Sequence, residues 1–79
     1  MSDVEDRLKD VLSKILKIDK ATIKSESHFV RDLGMESMQS IELIAAIEEE
    51  FDIEIDEDDV TDVLTFEKSA GYIKGAVAD

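Results

Sequence analysis

Apolar residues recur at helical spacing along much of this chain, and the breaks between them are polar. Val4, Leu8, Val11, Leu12 and Ile15 come first, behind a Ser2-x-x-Glu5 capping box. They predict a helix from Asp3 to Leu16. A polar loop is expected from Lys17 to His28, with Ile18 and Ile23 as its apolar anchors. Phe29, Val30 and Leu33 then make a short apolar patch before Gly34.

The next pattern predicts a helix from Ser37 to Phe51. On a wheel of about 100° per residue, Leu43, Ile44, Ile47 and Phe51 share one side, the expected core face. Met38, Ile41 and Ala45 fall elsewhere, interleaved with Glu42, Glu48 and Glu49. This helix therefore has a second face, apolar in the middle and acidic at the rim. A helix that only supports a fold needs no such face. Apolar contacts ringed by charge suit reversible docking.

Beyond Phe51, Ile53 and Ile55 lie in an acidic loop. Asp56 is placed to cap a short third helix, with Val60, Val63 and Leu64 facing inward. Thr65 is the expected N-cap of a last helix whose stripe is Phe66, Ala70, Ile73 and Val77. Gly71 and Gly75 weaken that helix. The expectation is a single all-α domain over residues 1–79, a small four-helix bundle with a short third helix.

Composition changes this picture in two ways. At 79 residues with no cysteine, the chain has no thiolate chemistry and no disulfide of its own. A core of this size supplies only about 3–5 kcal/mol of net stability, which leaves little for a deep catalytic cleft. The net charge of −12 argues against nucleic acid and anionic membranes and favours basic protein partners. It is also one-sided. Seven of the nine basic residues precede Leu33, and none lies between Leu33 and Glu67. No apolar run approaches the ~20 residues of a membrane span, and from the acidic start no signal peptide is expected. A cytoplasmic monomer is expected.

His28, Asp32 and Ser37 are the residue types of a nucleophilic triad, but their closeness in sequence makes a surface histidine the better reading. Asp52, Glu54 and Asp56 match the first positions of a calcium loop. That loop then fails, with Glu57 where glycine is required and Val63 where a bidentate glutamate is required, so no metal is expected. Ser37, at a helix start, is ordinarily a cap, and its loss should then cost about 1 kcal/mol. Its setting allows more. A serine there is exposed and held in place, and the positive end of the helix dipole favours a phosphate attached to it.

The segment from Phe29 to Ile55 resembles the acyl carrier proteins. It has Asp32-Leu33-Gly34, then Glu36-Ser37-Met38, then Ile41-Glu42-Leu43, then Glu48-Glu49-Glu50-Phe51-Asp52. The likeness extends more weakly to both ends. It implies a stand-alone carrier, not an enzyme. It implies that a phosphopantetheinyl transferase attaches 4′-phosphopantetheine from coenzyme A to Ser37. It also implies acyl synthases and acyltransferases with basic docking patches as partners, in fatty-acid or related lipid biosynthesis. The recognition surface is then expected to comprise Glu36, Met38, Ile41, Glu42, Ala45, Glu48 and Glu49, with Ile55 from the following loop. Glu36, Met38 and Gln39 stand where the family usually has aspartate, leucine and an acidic residue. An aminoacyl, peptidyl or polyketide carrier is the alternative, and the Ser37-Met38 pair is similar to D-alanyl carriers. An acidic helical adaptor without a prosthetic group is the reading from outside the family.

Overall fold

The computed structural model describes residues 3–56 and 64–77. Helix α1 spans Asp3–Leu16, a single 3-10 turn covers Lys20–Thr22, α2 spans Ser37–Phe51 and α3 spans Phe66–Val77. The first two helices fall where the periodicity predicts them. The described residues hold three α-helices and do not by themselves confirm a four-helix bundle. The short helix expected behind Asp56, with Val60 and Val63, lies outside them, as does Ser2 of the expected capping box.

α1 packs mainly on α2 and also on α3. Leu8 and Leu12 of α1 meet Leu43, Ile47 and Phe51 of α2 and Phe66, Ala70 and Ile73 of α3 in one buried cluster. Ile44 is packed against its edge. Full burial of side chains of this size contributes roughly 1.5–3 kcal/mol each. The stripe assigned to α3 holds except at its end, where Val77 is exposed because the helix has run past the core.

The long link between α1 and α2 is packed. Phe29 and Ile23 are core residues, as expected of an apolar patch and an anchor. Met35 is buried too, although it stands alone between glycine and glutamate in the sequence, whereas Val30 is 48% exposed. The link also closes the start of α3. Phe66 N–H donates to the Ser27 carbonyl, Glu67 N–H to that of Ser25, and Phe29 N–H to that of Leu64. Thr65 caps as expected, its hydroxyl accepting from Lys68 N–H at 3.2 Å. The leading N–H groups of α3 are thus satisfied, as a buried helix end requires.

α1 and α2 end alike. Lys17 and Asp52 adopt left-handed φ values of 56° and 54°. The next N–H, of Ile18 or Ile53, reaches back to the carbonyl of Ser13 or Glu48. This is the Schellman arrangement, made without glycine. Arg7 then locks the far end of α2 to α1. Its Nε donates to Glu50 Oε2 at 2.9 Å and Nη2 to the Glu50 carbonyl. Its guanidinium lies 4.5 Å from the Phe51 ring centroid. The hydrogen bond that the guanidinium donates to Glu50 raises it above its ordinary pKa. A cation over the C-terminal carbonyls also matches the helix dipole.

Candidate functional site

The approach to α2 is shaped by a turn built on His28. Asp32 Oδ2 accepts from His28 N–H at 2.7 Å, and His28 Nδ1 accepts from the N–H groups of Val30 and Arg31. Asp32 N–H and Leu33 N–H both return to the His28 carbonyl. Gly34 takes φ of 70°, a value that favours glycine, and Met35 then drops into the core while its N–H bonds to the Phe29 carbonyl at 2.9 Å. His28 and Asp32 are therefore spent on the backbone. The Asp32 bond goes to the amide and not to the imidazole, and Ser37 joins neither, so no triad exists.

Ser37 is the first residue of α2, and Glu36, in extended conformation with φ −92° and ψ 165°, is the N-cap. The serine is thus not the cap, and the stability cost expected for its removal falls away. Ser37 is exposed. Its hydroxyl has no hydrogen bond among the described residues, and its carbonyl accepts from Ser40 Oγ at 2.8 Å. The N–H groups of Ser37 and Met38 have no acceptor among the described residues either, in contrast to the closed start of α3. Free amides and the helix dipole both favour an anion bonded to this hydroxyl. An unencumbered hydroxyl at an open helix start fits a phosphodiester link.

Around Ser37 the expected second face of α2 is realised. Met38 is 74% and Ile41 68% exposed, the highest values among the large apolar side chains of the described residues. Glu36, Glu42, Ala45 and Glu49 are exposed beside them. Glu42, Glu48 and Glu49 have no cationic partner among the described residues. Two positions differ from expectation. Ile55 is only 9% exposed and belongs to the core, because the chain after Phe51 folds back under α2. Glu48 is half-buried and its carboxylate accepts from Ile55 N–H at 2.8 Å, so it serves the fold. Periodicity could not reveal either, since the loop has none.

The largest of the described cavities, about 620 Å³, opens between α1, the 3-10 turn and α3 and is lined by no residue of α2. Among the described residues there is no cluster of three metal-ligating side chains and no helix long and apolar enough to cross a membrane.

The family model of the phosphopantetheine attachment site matches residues 6–73. The chain belongs to this family, whose members are carriers of a prosthetic group and not enzymes. The group is 4′-phosphopantetheine, bound covalently. The acyl-carrier resemblance of the sequence agrees with this membership.

Proposed function

We propose that Ser37 carries the arm and that the chain delivers acyl groups as thioesters to enzymes of fatty-acid or related lipid biosynthesis in the cytoplasm. The observation that supports this most directly is the serine hydroxyl, exposed and unbonded at an open helix start, beside exposed Met38 and Ile41. The arm ends in a thiol and supplies the chemistry that a cysteine-free chain lacks. The chain itself contributes the address. Ser37 offers the attachment oxygen, and the amides of Ser37 and Met38 favour a phosphate there.

Glu36, Met38, Ile41, Glu42, Ala45 and Glu49 form the face read by the transferase and by synthases and acyltransferases with basic patches. Their carboxylates attract such partners at long range and repel a second copy, which supports a monomer. The departures at Glu36 and Met38 fall within this face. They favour, as a second reading, a carrier dedicated to a specialised aminoacyl, peptidyl or polyketide pathway.

Intact mass after incubation with coenzyme A and a broad-specificity phosphopantetheinyl transferase tests the attachment. A gain of roughly 340 Da is expected. Ser37→Ala should abolish the gain and leave the melting temperature within a degree or two, since its hydroxyl bonds to nothing. Ser40→Ala is the internal control and should still be modified. A gain that persists in Ser37→Ala refutes the assignment.

A further inference from the structure

We propose that Gln39 is a positioning residue, whose amide ties the start of α2 to the end of α1 and thereby sets the backbone that presents Ser37. The inference rests on Ser37 being the attachment site. Gln39 Oε1 accepts from Glu36 N–H at 2.9 Å. Its Nε2 donates to the Ile15 carbonyl, 24 residues away, at a longer 3.5 Å. The two partners settle the orientation of the amide, since one can only donate and the other can only accept.

Both bonds go to groups with few alternatives. Ile15 is in the last turn of α1, which leaves its carbonyl without a partner in the helix. The nearest N–H that could serve it, from Ile18, goes instead to Ser13. The Ile15 carbonyl receives no backbone N–H among the described residues. Glu36 N–H lies just outside α2 and has no other acceptor among them. One side chain thus satisfies the trailing end of one helix and the leading end of another. A carboxylate here could accept from Glu36 but could not donate to Ile15, and an aliphatic side chain could do neither.

Ser37 lies between two fixed points. On one side Met35 is sunk in the core and bonded to Phe29. On the other, Gln39 is bonded to α1. The serine hydroxyl bonds to neither anchor among the described residues. This arrangement leaves its hydroxyl free and its backbone held. Catalysis on a held group depends steeply on its placement, and a shift of about 1 Å can cost on the order of a hundredfold.

The test uses Gln39→Met, which removes both bonds, and Gln39→Glu, which keeps only the acceptor. A phosphopantetheinyl transferase is assayed with each variant and the wild-type chain as substrate, well below their melting temperatures. Amide hydrogen exchange at Glu36 is followed by NMR in parallel. Gln39→Met should lower kcat by roughly tenfold with KM unchanged, and Glu36 should exchange faster. Gln39→Glu should keep Glu36 protected while kcat still falls. A rise in KM alone would make Gln39 an ordinary partner contact and overturn the proposal. Unchanged kcat in both variants, or unchanged exchange at Glu36 in Gln39→Met, would overturn it too. If Gln39→Met fails to fold, Gln39→Glu decides by its kcat. A wild-type chain that gains no mass defeats the attachment reading instead, and the exchange measurement still decides whether the tie exists.

Discussion

α1 and α2 are similar in length and end in the same Schellman turn, yet they spend their side chains in opposite ways. In α1 the apolar residues Val4, Leu8, Val11, Leu12, Ile15 and Leu16 are all buried or packed on the core. Most of its charges find partners as well. Asp3 pairs with Arg7 and Asp10 with Lys14 along the helix, while Arg7, Asp10 and Glu5 reach Glu50, Lys20 and Lys74 on other elements. Hydrogen bonds from Lys74 and Lys20 hold the Glu5 and Asp10 carboxyls below their ordinary pKa values. α2 buries Leu43, Ile47 and Phe51 but leaves Met38 and Ile41 in water and most of its carboxylates unpaired. The contrast teaches that α1 is used up by the fold and α2 is not. What α2 leaves over, an apolar centre with an acidic surround, is available to another molecule.

The comparison breaks first at the core. Ile47→Ala should cost roughly 2–5 kcal/mol in a urea melt, the range for truncating a fully buried aliphatic side chain. A loss below 1 kcal/mol would mean that α2 is not seated on α1 as described. The next effect is smaller and separates two glutamates that the sequence treats alike. Glu48→Gln weakens a charged acceptor of the Ile55 N–H and should cost roughly 1 kcal/mol. Glu42→Gln, with no such bond, should leave the melt unchanged. Equal melts for the two would remove the structural role of Glu48.

The smallest effect on stability sharpens the contrast most. Met38→Ala should change stability by about 0.5 kcal/mol or less, as surface substitutions usually do. It should raise the transferase KM, because an apolar contact near the proposed attachment point is lost while the fold stays intact. If Met38→Ala melted as badly as Ile47→Ala, Met38 would be a core residue and α2 would have no spare face.

Much of this was legible in the order of residues alone. The limits of α1 and α2, the inward side of each, the Thr65 cap and the singling out of Ser37 all follow from helical periodicity and from residue types at helix starts. Such signals are local: the angle of a side chain about its own helix depends on neighbours three and four positions away. The family likeness rests on equally local strings around Ser37.

Tertiary structure decided what depends on distant partners or on stretches with no period. Arg7 reaches Glu50, 43 positions away, and Gln39 reaches Ile15, 24 away. No spacing rule couples such pairs. Met35 and Ile55 read as isolated apolar residues beside a glycine and within an acidic loop, yet both are buried. Their burial follows from where the chain turns, at Gly34 and at Asp52. The role of Ser37 divides along the same line. Its place at a helix start was readable, but its hydroxyl is free only because Glu36 takes the cap position, and that depends on how the chain enters α2.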